Sequence, residues 1–82
     1  MVVQILGTSG CHLCDKAEPL VRRIAPSFGS KVELVDIATD DQLVDEYGIR
    51  IPVVRQLNDG QPKRELGWPF QEEELIEWLQ SL

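Results

Sequence analysis

The chain has 82 residues, of which 14 are acidic and 8 are basic, and its net charge is −6. This length has room for one small domain with one core, so we predict a single domain over residues 1–82. The negative charge would repel nucleic acid and anionic membrane surfaces, and no apolar run is long enough to span a bilayer. We therefore expect neither as a partner, and the charge pattern favours a soluble monomer.

The first elements predicted are a strand, a loop and a helix. Residues 2–6 are short, β-branched and mostly apolar, which is typical of a buried strand, and a Gly-Thr-Ser-Gly loop follows. Apolar residues then recur at steps of three and four, which favours a helix from about residue 12 to 25 that ends before Pro26 and Gly29. Its inward face would comprise Leu13, Ala17, Leu20, Val21 and Ile24.

A second strand over residues 32–37 and a short helix are predicted next. Thr39 and Gln42 have the spacing of a capping box with Thr39 as the N-cap. The helix would end at Gly48. Its inward residues would be Leu43, Val44 and Tyr47.

The C-terminal part predicts a hairpin and a last helix. Residues 53–57 and 63–66 flank Asn58-Asp59-Gly60, a strong signal for two antiparallel strands, and Pro62 suits an edge strand. Pro69 would begin the last helix, and Glu72–Glu74 would complement its dipole. The expected inward residues of this helix are Leu75, Ile76, Trp78, Leu79 and Leu82. The order is therefore β-α-β-α-β-β-α, with a right-handed parallel unit at its start.

Cys11 and Cys14 are the only two cysteines, and they lie three residues apart at the start of the first predicted helix. Backbone N–H groups and the dipole at a helix N-terminus favour a thiolate, and can lower the pKa of a thiol from about 8.5 to about 3.5–7.5. We predict Cys11 as a nucleophile and Cys14 as the residue that resolves a mixed disulfide on it. Two cysteines without a signal-like N-terminus also indicate a reducing, cytoplasmic compartment.

This element order, with Cys-x-x-Cys at the first helix and Ile51-Pro52 before the third strand, resembles the thioredoxin fold in its short glutaredoxin-like form. The resemblance covers essentially the whole chain and includes Pro19 within the first helix and Gly67 after the fourth strand. It implies an α/β protein with a four-stranded mixed sheet flanked by three helices. It also implies a thiol-disulfide oxidoreductase, or electron carrier, acting on disulfides of proteins or small thiols.

The resemblance further implies roles for the residues around Pro52. The Ile51–Pro52 bond would be cis, Pro52 would shape the floor beside the cysteines, and the Ile51 backbone would pair with an extended substrate. The alternative for Pro52 is a trans proline that opens an edge strand. No bound cofactor is implied, and an unidentified reductase would recycle the pair.

Two departures from the family pattern concern the site. His12-Leu13 replaces the Pro-Tyr of glutaredoxins and the Gly-Pro of thioredoxins. Glutathione is a candidate co-substrate, but of the Gly-Gly pair followed by Asp that holds it in glutaredoxins only one glycine, Gly67, is kept.

Four other residues are secondary candidates for the site. Arg50, just before Ile51, and Lys16 could each present positive charge to a thiolate or a substrate carboxylate, or could be solvated, and for Lys16 we favour the solvated alternative. Trp68 could form a docking surface beside the cysteines or could fold into the core. Asp36 could be a buried acid that serves Cys14, but we favour a turn residue at the strand end.

Two other classes of function stay open. The scaffold could be a redox-inactive module that binds proteins, because a fold does not fix a function. A zinc ion or an iron-sulfur cluster could be shared between subunits, but structural zinc normally takes four ligands and the motif offers only Cys11, His12 and Cys14. We therefore assign no metal ligand.

A protonated His12 would change the reduction potential of the Cys11–Cys14 pair. If an imidazolium lies near the Cys11 sulfur, it stabilises the reduced form, so His12→Ala should lower the reduction potential. A shift of about 30 mV corresponds to about 1.4 kcal/mol for a two-electron couple. An unchanged potential in equilibrium with a thiol redox buffer would mean that His12 points to solvent.

Overall fold

A computed structural model describes residues 1–81 and confirms the predicted element order. The strands are β1 (Val2–Gly7), β2 (Lys31–Asp36), β3 (Val53–Asn58) and β4 (Gln61–Gly67). The helices are α1 (His12–Ile24), α2 (Asp41–Tyr47) and α3 (Glu72–Gln80), with 3₁₀ turns over Ala25–Phe28 and Ile37–Thr39. Across this described part of the chain, every helix is too short or too polar to cross a membrane.

The sheet has the strand order β2-β1-β3-β4. β1 runs parallel to β2 and antiparallel to β3, and β4 pairs antiparallel with β3. Leu6 lies opposite Val53, and Val53 lies opposite Gly67. The C-terminal end of β1, the start of β3 and the end of β4 therefore meet at one edge of the sheet.

Alternating side chains of the central strands serve two cores. Val3, Ile5 and Val54 are at most 1 % exposed and form one core with apolar residues of α1 and α3. Leu6 and Val53 belong to a smaller core with Ile37 and Tyr47. The second core lies at the sheet edge described above, where Tyr47 of α2 packs with Leu6 of β1 and Val53 of β3.

The hairpin between β3 and β4 is confirmed, and both of its strands are longer than predicted. Its two turn residues, Asp59 and Gly60, have φ angles of 54° and 78°. Positive φ at both central residues is what a type I′ turn requires, and this turn matches the twist of the strands. β4 is an edge strand, as expected from Pro62.

The predicted capping box of the short helix is wrong. The N-cap is Asp40, whose carboxylate accepts a hydrogen bond from the Gln42 N–H at 2.9 Å. The Thr39 hydroxyl instead donates to the Asp36 carbonyl at 2.9 Å, because residues 37–39 form a 3₁₀ turn that delays the helix. β2 starts and ends one residue earlier than predicted, and the 3₁₀ turn accounts for the earlier end because it begins at Ile37.

The prediction that Pro69 begins the last helix is also wrong, because α3 begins at Glu72. Phe70 is 3 % exposed and packs into the larger core before the helix starts. The Gln71 N–H then donates to the Glu74 carboxylate at 3.2 Å. The predicted acidic first turn, Glu72–Glu74, is confirmed.

Most of the predicted inward residues are buried or half-buried, but Leu13 and Val44 are not. Leu13 is 45 % exposed and Val44 is 42 % exposed. In both helices the buried stripe is narrower than the apolar stripe of the sequence, and these residues fall at its border. The buried residues of α1 are Cys14, Ala17, Val21 and Ile24. Leu82 lies outside the described residues.

Candidate functional site

Cys11 and Cys14 are joined by a disulfide, with their Cα atoms 5.2 Å apart. Cys11 is the N-cap of α1, and its Sγ accepts a hydrogen bond from the Cys14 N–H at 3.2 Å. Cys11 is half-buried, whereas Cys14 is 7 % exposed. Cys11, at the helix terminus, is therefore more exposed than Cys14, inside the helix.

The close approach of Cys14 to β1 requires a residue without a side chain at position 7. A Cβ atom on Gly7 would lie 2.9 Å from the Cys14 Sγ, which is too close for a real contact. A cavity of about 240 Å³ opens beside Cys14 on the β2 side, lined by residues of the Gly7 loop, α1 and β2. Its carboxylates are those of Asp15, Glu18 and Asp36.

Pro52 lies at the same sheet edge as the cysteine loop, because its neighbour Val53 pairs with Leu6. Pro52 is less than 2 % exposed, and the Ile51–Pro52 peptide bond is cis. The Ile51 N–H donates to the Tyr47 carbonyl at 3.1 Å. Backbone pairing of Ile51 with a substrate would therefore have to use its carbonyl while this hydrogen bond is kept.

Trp68 is hydrogen-bonded to the segment of residues 48–52 that connects α2 to β3, which we call the Pro52 loop. Its N–H donates to the Pro52 carbonyl at 3.0 Å, next to the pairing of Gly67 with Val53. The ring is half-buried against the larger core and meets Phe70 edge to face, with 5.2 Å between ring centroids. Trp68 thus packs inward while part of it stays exposed, and a contact of its ring with a substrate stays a prediction.

A carboxylate that the sequence analysis did not single out organises the other side of the Pro52 loop. Glu65 Oε1 accepts from Arg50 Nη2 at 2.7 Å, and Glu65 Oε2 accepts from the Tyr47 hydroxyl. The Arg50 guanidinium also lies 5.1 Å from the centre of the Tyr47 ring. Arg50 therefore contacts β4 and α2 in this structure, and its predicted role toward a thiolate or substrate stays a prediction.

Tyr47, Arg50 and Glu65 form a cluster, the Glu65 cluster, that changes the pKa of each of its members. Hydrogen bonds from Tyr47 and Arg50 hold the pKa of Glu65 below its ordinary value. Burial, followed by the hydrogen bond to Glu65, raises the pKa of Tyr47. The hydrogen bond to Glu65 raises the pKa of Arg50 further. The cluster thus favours a neutral tyrosine, an ionised glutamate and a charged arginine.

The remaining sequence candidates lie at the surface. His12 is the first residue of α1 and is exposed, as is Lys16 one turn later. Asp36 caps the following 3₁₀ turn by accepting from the Ala38 N–H at 2.9 Å, as the turn interpretation predicts. Within residues 1–81, no three His, Cys, Asp or Glu side chains are grouped so as to hold a metal ion.

Solved structures place this arrangement in the thioredoxin-fold class. Protein XcR50 from X. campestris, in its X-ray structure, is 32 % identical, with a TM-score of 0.80 over 98 % of this chain and 97 % of that chain. A thioredoxin mutant from Halobacterium salinarum is 25 % identical, with a TM-score of 0.78 over 98 % of this chain and 72 % of that one. Thioredoxin 1 from Thermosipho africanus is 18 % identical and matches in fold, with a TM-score of 0.76 over 99 % and 92 % of the two chains.

The family is narrower than the fold. The family model described as Glutaredoxin-like domain (DUF836) matches residues 2–80, and the chain belongs to that family. No curated protein matches the chain. The family and the closely spaced Cys11–Cys14 pair support a possible redox role.

The sequence alone offered little sign of the Glu65 cluster. Glu65 lies 18 residues from Tyr47 and 15 from Arg50, so no local spacing links them. The available signal was the alternation of Glu65 with Leu66 in a predicted strand, opposite a strand that carries Arg55. That signal places Glu65 on a polar face but does not identify its partners.

Glu65→Gln should remove a pH-dependent part of the stability. The folded-state pKa of Glu65 is depressed, so its contribution is present above the unfolded pKa near 4.5 and is lost as pH falls through the folded value. Because a third of the side chain is exposed, we expect a loss of about 1 kcal/mol at neutral pH, with a smaller difference in acid. Urea unfolding of the wild type and the variant, from neutral pH down to pH values below 4.5, measures the difference in unfolding free energy.

A control separates this effect from the loss of any surface carboxylate. Glu72 forms an ion pair with Arg23 at 3.1 Å, and its side chain is 53 % exposed. In buffer of moderate ionic strength, Glu72→Gln should cost only about 0.3 kcal/mol, because the exposed ion pair contributes little and salt screens the interaction of this carboxylate with the α3 dipole. A pH-independent difference between Glu65→Gln and the wild type would contradict the assigned role of the carboxylate.

Proposed function

We propose that the protein is a thiol-disulfide oxidoreductase in which Cys11 attacks and Cys14 resolves. The observation that carries the proposal is the unequal placement of two sulfurs within bonding reach. The Cys11 Sγ lies at the helix N-terminus and accepts a backbone N–H, and that N–H would also stabilise a thiolate there. Cys14 is 7 % exposed, so a substrate can reach Cys11 more easily.

The reaction begins with the reduced pair. The Cys11 thiolate attacks one sulfur of the substrate disulfide, forms a mixed disulfide and displaces the other substrate sulfur as a thiolate, which takes a proton from solvent. Cys14 loses its proton and attacks the Cys11 Sγ, which releases the second substrate thiol. The substrate gains two electrons, and the protein ends with the Cys11–Cys14 disulfide. Two electrons from one dithiol, or from two equivalents of a monothiol such as glutathione, restore the starting state.

The surrounding residues would bind the substrate or adjust the reduction potential of the cysteine pair, and they would not exchange electrons themselves. Pro52 would shape the floor beside the cysteines, and Ile51, Gly67 and Trp68 would border a bound polypeptide. His12 would affect the reduction potential by its charge if it lies near Cys11. We propose a cytoplasmic monomer that acts on disulfides of proteins or small thiols and is recycled by a separate reductase or by glutathione.

Serine variants of the two cysteines test this function. With dithiothreitol as the electron source and a disulfide-bonded peptide as the substrate, the wild type should accelerate reduction above the uncatalysed rate. Cys11→Ser should abolish the acceleration, because no nucleophile remains at the accessible position. Reduced Cys14→Ser, freed of dithiothreitol before the peptide is added, should accumulate a mixed disulfide with the peptide on Cys11, detectable as added mass that later addition of dithiothreitol removes.

The variants also separate this function from that of a redox-inactive binding module. Equal, background-level rates for the wild type and Cys11→Ser would favour the module and refute the oxidoreductase. Circular dichroism of each variant should match the wild type, so that loss of activity is not loss of the fold.

A further inference from the structure

A single carboxylate on edge strand β4 binds both ends of the turn that leads to Pro52. Glu65 Oε2 accepts a hydrogen bond from the hydroxyl of Tyr47, the last residue of α2. Glu65 Oε1 accepts a hydrogen bond of 2.7 Å from the guanidinium of Arg50, two residues before Pro52. Both interactions are hydrogen bonds to an ionised group, the stronger kind, and they fix one carboxylate orientation.

Both ends of the turn also pack on the smaller core, since Tyr47 is buried in it and Ile51 lies against it, but the middle of the turn does not. The Tyr47 carbonyl accepts from the N–H groups of Arg50, at 2.8 Å, and Ile51, at 3.1 Å. At the apex, Gly48 is exposed and Ile49 is fully exposed, so no apolar packing of these residues anchors the apex. The conformation of residues 47–51 therefore depends on its backbone hydrogen bonds and on the contacts at its two ends.

The same strand also binds the far side of the loop. Beyond the end of β4, the Trp68 N–H donates to the Pro52 carbonyl at 3.0 Å. Glu65 and Trp68 thus connect β4 to the segment 47–52 at both of its ends. Of these connections, the Trp68 bond uses only the backbone, whereas the Glu65 bonds depend on the identity of a side chain.

We propose that Glu65 is a positioning residue for polypeptide substrates, holding the turn of residues 47–50 so that the half-buried Ile51, supported by the buried Pro52, forms a preset surface beside the cysteines. The role rests on the proposed function and names the substrate class that uses the loop. A disulfide within a polypeptide would lie along this surface while its sulfur reaches Cys11. A small disulfide needs only access to Cys11, so its reduction is independent of Glu65.

Glu65→Gln tests the role, because it keeps the shape of the side chain and removes the charge that binds Arg50. For a disulfide-bonded peptide, KM should rise about tenfold, equivalent to about 1.4 kcal/mol, with kcat near that of the wild type. The rate with the small, neutral bis(hydroxyethyl) disulfide should be unchanged. Amide hydrogen exchange at Arg50 and Ile51, which needs no substrate, should be faster than in the wild type.

Two further variants sharpen the result. Glu72→Gln removes the acidic partner of an exposed ion pair between α3 and Arg23 of α1, and it should match the wild type in KM and in exchange. Tyr47→Phe combined with Glu65→Gln should raise KM by less than the product of the two single effects, because both act through one cluster.

Two results would overturn the positioning role alone. One is an unchanged KM and unchanged exchange in Glu65→Gln, and the other is an equal loss of activity toward the peptide and the small disulfide. A wild type that reduces neither substrate above background would instead overturn the proposed function, and with it the substrate role of the loop.

Discussion

Antiparallel pairing of β1 with β3 is the constraint on which the site depends. Leu6 lies opposite Val53, so the chain leaves β1 toward Cys11 at the edge where Pro52 leads into β3. A slip of β3 by one residue would turn Val53 to the other face of the sheet, away from Leu6, and remove it from the smaller core. The burial of these side chains therefore fixes the register, and the register brings the two loops together.

Within that frame, the two cysteines have different surroundings. Cys11 is partly exposed and its sulfur accepts a helix N–H, whereas Cys14 packs so closely on Gly7 that a Cβ atom there would overlap its sulfur. The opposite side of the site depends on β4 and the residue that follows it, because Glu65 in the strand and Trp68 just after it bind the Pro52 loop. The sheet thus positions the reactive pair through β1 and the neighbouring loop through β4.

Local patterns in the sequence predicted the element order, the hairpin and the position of the cysteine pair, because periodicity and turn residues act over a few positions. Local rules were less successful at boundaries, where the 3₁₀ turn before α2 moved the N-cap to Asp40 and burial of Phe70 delayed α3. The Glu65 cluster was not predicted, since its partners are distant in sequence and meet only when the strands pair and α2 packs on the sheet.

The central claim is that Cys11 is the reactive thiol and Cys14 the shielded one. Fully reduced protein treated with limiting iodoacetamide at about pH 6.5, where a thiol of ordinary pKa near 8.5 is almost wholly protonated, tests it directly. Peptide mapping by mass spectrometry should find the first carboxamidomethyl group on Cys11, with Cys14 modified only after the protein is unfolded. Equal modification of the two cysteines, or preferential modification of Cys14, would contradict the account.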